Sequence, residues 1–443
     1  MILALLLATV ATAAPATPRA APVATLAPDA EARWVPFDLT PGNQIRFTMS
    51  LDDRPVTAIL DTGVSVSVLS RDYAQRHRVT VRQEGRADVI GGSLDVGRAD
   101  TRTLAIGGLT RRGGSLVVAD LPAAATRGDS GDRNGVDMLV GRDLTAPWAL
   151  DIDYQARRFR LLRSGRMPFT GATAPLSIAP DRQLYMSGLT IAGHRVAPVV
   201  VDTGDGAAVT LSAAGWRTAD LGTPATTAIS YGLAGAVESE LSIVPQLALG
   251  TATASEVEVR REVAGGFSDT IGVAGRIGSG LLQRFRVLLD PGAGHMLLRA
   301  LPPTVQERST SGLLLAFTGD RLSVLHVMRA SPAAAAGWRV DEAICAVDGT
   351  PVSRAWLATP RRPLDHRHPG HDGDAADVRR HAPDADAPAL LLASGLVWWN
   401  RGSVRFLTVI PGSTRDPAFL PLPCERSGTP GQARGDGIGE PNF

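Results

Sequence analysis

Arg54-Pro-Val-Thr-Ala-Ile-Leu-Asp61-Thr62-Gly63-Val-Ser65-Val-Ser-Val-Leu-Ser70 reads as an apolar strand, a short polar turn and a second apolar stretch ending in serine. The same plan returns at Arg195-Val-Ala-Pro-Val-Val-Val-Asp202-Thr203-Gly204-Asp-Gly-Ala-Ala-Val-Thr-Leu-Ser212. Each copy has a matching tail. Met138-Leu139-Val140-Gly141 leads to Ala149–Tyr154 and Arg158–Leu162; Arg276-Ile277-Gly278 leads to Phe285–Asp290 and His295–Arg299. Asp61 precedes Gly141 by about 80 residues and Asp202 precedes Gly278 by about 76. Order, spacing and residue type repeat together, which is the mark of a duplicated unit.

Between these landmarks, glycine pairs such as Gly91-Gly92, Gly107-Gly108 and Gly113-Gly114 punctuate short alternating runs. That is the pattern of strands and tight turns. Helical patterns are brief, the best being Leu69–Arg78 and Leu281–Phe285. The reading is an all-β chain with two β lobes, 35–165 and 166–300, related by a pseudo-twofold axis. Such an axis brings equivalent points of both lobes together, so Asp61 and Asp202 are expected to face each other. Two carboxylates that close share one proton and titrate as a unit. The ionised member can take a proton from water while the protonated member donates to a carbonyl oxygen. Thr62 and Thr203 can hydrogen-bond across the axis, Gly63 and Gly204 leave room for a peptide backbone, and Ser65 can donate to Asp61.

These two Asp-Thr-Gly turns, each followed by an apolar-apolar-Gly element, resemble the aspartic protease superfamily over residues 35–300: bilobal like pepsins, with each lobe closer in style to retropepsins. The resemblance implies an aspartic-type endopeptidase with Asp61 and Asp202 as the catalytic pair and Thr62, Gly63, Ser65, Thr203 and Gly204 as their support. Three departures stand out. Gly206 replaces the serine or threonine that would match Ser65, Asp205 puts a third carboxylate three residues from Asp202, and Arg276 occupies an apolar slot. No tyrosine lies between Tyr73 and Tyr154, so the flap tyrosine of pepsins has no equivalent, and the glycine-rich Ile90-Gly91-Gly92 is expected to be the flap tip. Tyr231-Gly232 holds the corresponding place in the second lobe. A pair of degenerate lobes that binds peptides without cutting them is the alternative.

Further on, Ser311-Gly312-Leu313-Leu314-Leu315-Ala-Phe317 and Ser331-Pro-Ala-Ala-Ala-Ala-Gly337, with Asp348-Gly349, resemble part of a PDZ domain over 311–360. The resemblance implies peptide capture with Gly312, Leu313, Leu314 and Leu315 as the binding loop; an irregular hairpin annex to the second lobe is the alternative. Ile2–Val10 followed by Ala11-Thr12-Ala13 reads as an export signal in residues 1–20, and the Ala/Pro-rich 21–34 as a linker, which places the mature protein in the periplasm or outside the cell. Forty-five basic residues, all arginine, against 44 acidic leave a net charge of +1 and no nucleic-acid footprint. No second apolar run of membrane-spanning length follows. Protein or peptide substrates are the expected partners. Oligomeric state stays open.

Two cysteines, Cys345 and Cys424, make neither a disulfide framework nor a zinc site, and Cys345 reads as a small core residue. The histidines His366, His368 and His371 lack a framework that could hold a metal, so no metal and no cofactor is expected. Beyond Pro360 the PDZ-like pattern stops with its closing strands still owed. Read one nucleotide out of phase, codons permitted for Arg361 to Leu392 give two alternating strands joined by an Asp-Gly turn. Residues 361–443 are therefore expected to be an out-of-frame or disordered tail.

Overall fold

The computed structural model describes residues 22–40, 42–121, 135–303, 309, 311–317, 321–347 and 350–353. The export signal and the tail beyond 361 lie outside these residues. Strands dominate, and the helices are single turns or little more.

The repeat read in the sequence is also a repeat of topology. In the first half, the strand leading to Asp61, Arg54–Leu60, runs parallel to Met138–Val140, with Ile59 opposite Leu139 and Leu60 opposite Val140. Met138–Val140 then pairs antiparallel with Val68–Ser70, the strand that leaves the turn. That strand runs parallel to Ser115–Ala119, and the sheet continues through Gly92–Asp100 to Val81–Val89. The second half follows the same steps. His194–Asp202 runs parallel to Gly275–Gly278, which pairs antiparallel with Val209–Leu211. Ala252–Arg261, Gly235–Leu249 and Thr226–Gly232 complete it. Because the strands flanking each turn are covered on both faces, they are uniformly apolar rather than alternating; Val56, Ala58, Ile59 and Leu60 are buried, as are Val199, Val200 and Val201.

The two tails join the halves. Ala149–Asp153 pairs with Phe285–Asp290, Leu150 lying opposite Leu289. With Arg158–Leu162 and His295–Ala300 they form a continuous antiparallel base beneath both turns. This base belongs to a 16-stranded sheet, and the second half contributes an 8-stranded one. One apolar core runs through both, from Ile45 and Phe47 to Leu282 and Met296.

Two sequence expectations need correction. The segment 21–34 is not simply a linker: Val23–Leu26 is a strand paired with Leu109–Arg112, and Ala30–Ala32 is a 3-10 turn. Its alanine and proline content hid the backbone pairing and the burial of Leu26 and Ala30. Cys345 is half-buried and disulfide-bonded rather than a free core thiol, which leaves no free cysteine among the described residues. Of the short helices, Arg71–Arg76 falls inside the predicted Leu69–Arg78, while Ser279–Leu282 shares only Leu281 and Leu282 with the predicted Leu281–Phe285, Phe285 opening a strand. Ala213–Thr218 was not legible, although its cap is regular: Gly215 N–H donates to Ser212 Oγ at 3.0 Å.

After the second tail, Leu313–Phe317, Leu322–Val327 and Ala343–Ile344 form a three-stranded sheet. A helical turn, Pro332–Ala335, starts at Ser331, whose hydroxyl accepts the Ala334 amide at 3.0 Å. Leu313, Leu315, Phe317, Val324, Ala333 and Ile344 make its small core. It docks on the second half through Met328, which is buried with Ala228 and Leu241. Thr226 Oγ1 donates to the Arg329 carbonyl at 2.6 Å, and the Arg329 guanidinium reaches Glu240 at 3.0 Å. No helix among the described residues is long and apolar enough to cross a membrane.

Candidate active site

Each Asp-Thr-Gly turn begins where a buried parallel strand ends, so Asp61 and Asp202 emerge from the ends of equivalent strands. The threonines turn inward and are buried. Thr62 N–H donates to Thr203 Oγ1 at 3.0 Å, and Thr203 N–H donates to Thr62 Oγ1 at 3.0 Å. Each hydroxyl then donates to the strand of the opposite half: Thr62 Oγ1 to the Val201 carbonyl and Thr203 Oγ1 to the Leu60 carbonyl, both at 2.7 Å. Four bonds related by the pseudo-twofold fix one turn against the other.

The glycines complete the symmetry. Gly63 N–H donates to Asp61 Oδ1 and Gly204 N–H to Asp202 Oδ1, each at 2.9 Å. A methyl group on Gly63 would come within 2.3 Å of the Asp202 carboxyl, and one on Gly204 within 2.3 Å of the Asp61 carboxyl. Each carboxyl therefore lies over the glycine of the other turn, in space that only hydrogen leaves open. Loss of solvation, and then the neighbouring Asp202 charge, hold Asp61 well above the ordinary carboxylate range. Burial and the charge of Asp205 raise Asp202 to about 6, against the opposing pull of Arg276 and of the Asp205 and Gly204 amides.

Ser65 does not support Asp61. Its hydroxyl donates to the Arg182 carbonyl, because the turn leads it toward the second half and away from the carboxyl. The absence of a side chain at Gly206 has a clear cause: a Cβ there would meet the Gly42 carbonyl oxygen at 1.8 Å. Instead of a serine, the loop before Ile45 supports the second turn. Gln44 Nε2 donates to the Gly204 carbonyl and Asn43 Nδ2 to the Gly206 carbonyl, both at 3.0 Å. Below them Ser279 Oγ donates to the Thr203 carbonyl at 2.9 Å.

Ile90-Gly91-Gly92 forms the tip of the hairpin Val81–Val89 and Gly92–Asp100, with Gly91 and Gly92 at φ +94° and +146°. The equivalent hairpin of the second half turns at Leu233-Ala234, just past Tyr231-Gly232. The two tips meet: Ala234 N–H donates to the Ile90 carbonyl at 3.3 Å, and a Cβ on Gly232 would lie 2.3 Å from that oxygen. Leu233 packs among Ile59, Val68 and Leu139 of the first half. Sequence reasoning found the first tip but not its partner's role.

It noted Asp205 and Arg276 as departures, but not that they meet beside Asp202. Arg276, 4% exposed, reaches Asp205 at 3.0 Å and Asp202 at 3.9 Å, and also pairs with Glu262. The charge of Asp205, the third carboxylate, raises Asp202. Arginine in a strand buried on both sides was the available signal that acids surround it.

In the C-terminal sheet, Gly312 sits at φ +77°, as a tight loop requires. However, its N–H donates to Ser309 Oγ at 2.9 Å and that of Leu313 to Ser311 Oγ at 3.2 Å. Those two amides are already engaged and do not form an open nest for a carboxylate. Leu313 and Leu315 are core residues, and Leu314 is half-buried.

A family profile described as aspartyl protease matches residues 47–144. Among solved structures, EIAV protease complexed with the inhibitor HBY-793 is similar at 22% identity, over 23% of this chain and 83% of that one, with a TM-score of 0.18. No curated protein matches. The family match spans the Asp61 turn and the Leu139-Val140-Gly141 element: this part of the chain is an aspartic-protease-like region.

Proposed function

We propose that the chain is an aspartic-type endopeptidase whose two halves, about 35–165 and 166–300, each give one carboxyl to a shared-proton pair, Asp61 and Asp202. The observation that carries this reading is the reciprocal placement of each carboxyl over the glycine of the opposite turn. In the reaction, the ionised carboxyl takes a proton from a water held between the pair, and the water oxygen adds to the substrate carbonyl carbon. The protonated carboxyl gives its proton to the carbonyl oxygen. The tetrahedral diol then collapses: one of its hydroxyls returns a proton to the carboxylate that had served as acid, the C–N bond breaks, and the amine leaves with the proton first taken from water. The tips at Ile90–Gly92 and Leu233-Ala234 are read as flaps that exclude water during turnover.

The remaining assignments belong to the same proposal. Residues 1–20 direct export to the periplasm or beyond, and the segment from 311 is a partial PDZ-like module. The test is digestion of a peptide library by the purified full chain at several pH values, with Asp61→Asn as control. Cleavage by the native chain but not the variant supports the reading. Binding without cleavage would make it a peptide-binding protein instead.

A further inference from the structure

The two turns are alike in the threonine and glycine bonds that join them, yet unlike in charge. In the first half, Val64 follows Gly63 and Leu139 fills the neighbouring strand; in the second, the matching positions are Asp205 and Arg276. Asp202 Oδ1 accepts two amides, from Gly204 at 2.9 Å and from Asp205 at 3.1 Å. Asp202 Oδ2 faces the Arg276 Nε at 3.9 Å. Asp61 accepts one amide, from Gly63 at 2.9 Å. Donors and a cation on one carboxyl favour its charged form.

The guanidinium is held where it is by a closed set of partners. Its Nε donates to Asp205 Oδ2 at 3.0 Å, and its Nη1 donates to Glu262 and to Ser268 Oγ, the latter at 3.0 Å. Asp205 is held in turn by Ala207 N–H at 2.9 Å and Thr210 Oγ1 at 3.3 Å. An arginine this deeply buried is costly unless every charge is answered. The charged groups around Asp202 are therefore Asp61 across the axis, Asp205 in its own turn, Arg276 beside it and Glu262 behind Arg276. Arg260 lies further out, paired with Glu258 at 3.0 Å.

We infer that Arg276 is a positioning residue: held by Asp205 and Glu262, it makes Asp202 the charged member of the pair and leaves the shared proton on Asp61. Asp202 is then the base that takes the proton from water, and Asp61 the acid that serves the substrate carbonyl. This rests on the aspartic-protease reading, but it concerns a difference between two carboxyls that exists with or without turnover. The directions of their shifts agree, Asp61 being raised well above the ordinary range and Asp202 to about 6.

The experiment is carboxyl-carbon NMR titration of the full chain labelled at aspartate Cγ, alongside the pH profile of kcat/KM. Asp202 is expected to ionise first. Asp205→Asn keeps the Arg276–Glu262 pair but removes the repelling charge, so the first ionisation and the acid limb should fall by about one pH unit. Arg276→Met should raise both by about one unit, and Arg276→Lys should restore most of that. Opposite movements by neighbours of opposite charge are not what a purely structural role gives. Asp61 ionising first would overturn the inference, as would an unmoved first ionisation in Asp205→Asn, the variant that decides should Arg276→Met not fold. If the titrations follow this pattern but no peptide is cut, the protease reading fails and the asymmetry stands. If peptides are cut and Asp61 ionises first, the reverse holds.

Discussion

The Thr62 amide and the Thr203 hydroxyl are joined at 3.0 Å, and the same bond runs back from the Thr203 amide to the Thr62 hydroxyl. The halves of the chain are thus stitched directly beneath the two carboxyls, by groups that water does not reach. Replacing either threonine by valine keeps the shape but leaves a buried amide and a buried carbonyl without their partner, at a cost of about 1–3 kcal/mol each. Thr62→Val and Thr203→Val, each orphaning two groups, should each lower stability in urea unfolding by about 2–6 kcal/mol, and the double variant should lose less than the sum, because either change loosens the same junction between the turns. Full additivity would mean that the two turns are not one unit.

Gly63 and Gly204 have ordinary backbone angles, so alanine strains neither turn. Its methyl instead meets the opposite carboxyl at 2.3 Å. Gly63→Ala and Gly204→Ala should therefore leave the circular dichroism spectrum unchanged while kcat falls roughly a hundredfold or more, the scale expected when reacting groups are displaced by about an ångström. Retained kcat in either variant would contradict the facing arrangement.

The pH dependence follows from burial of the pair. Asp202 ionises at about 6 in the fold and near 3.8 when unfolded. The folded state therefore binds the extra proton between those values, and stability falls as pH rises from about 4 through 6. On the proposed function, activity is expected to move the other way at that edge, since the singly ionised pair forms as pH rises past about 6. Asp61→Asn removes one of the two opposed carboxylates and should raise the melting temperature more at pH 7.5 than at pH 4.5. An equal gain at both pH values would rule out the raised pair.

The tip at Ile90–Gly92 touches the second hairpin through Ala234, and Gly92 holds a φ of +146° that proline cannot adopt. Gly92→Pro should lower kcat/KM by about tenfold or more with little change in melting temperature, since Gly91 and Gly92 are exposed. Normal kinetics in that variant would move the gating role to Leu233-Ala234.

Much of this site was legible in the sequence because its information is local and doubled. Asp-Thr-Gly at 61 and 202 and the glycines at 141 and 278 recur in order, and parallel strands buried on both faces leave continuous apolar runs such as Val199–Val201. What could not be read depends on meetings between distant segments. Gly206 reads in the sequence as a missing serine, and only the fold puts the Gly42 carbonyl in the space a side chain would need. Ser65 has the right chemistry for Asp61 but turns to Arg182, which lies 117 residues away. Arg276 meets Asp205 across 71 residues, and only the parallel pairing of Gly275–Gly278 with His194–Asp202 brings them together. Val23–Leu26 failed for another reason: a strand held by backbone pairing to Leu109–Arg112 needs little from its side chains.

The central claim is that Asp61 and Asp202 act as one catalytic unit, and single-turnover cleavage by Asp61→Asn, Asp202→Asn and the double variant tests it most directly. The account predicts that each single variant loses at least about a thousandfold in rate and that the double variant is scarcely slower, because groups that act together are strongly non-additive. Either single variant keeping more than about a tenth of the native rate, or losses that multiply in the double variant, would contradict it.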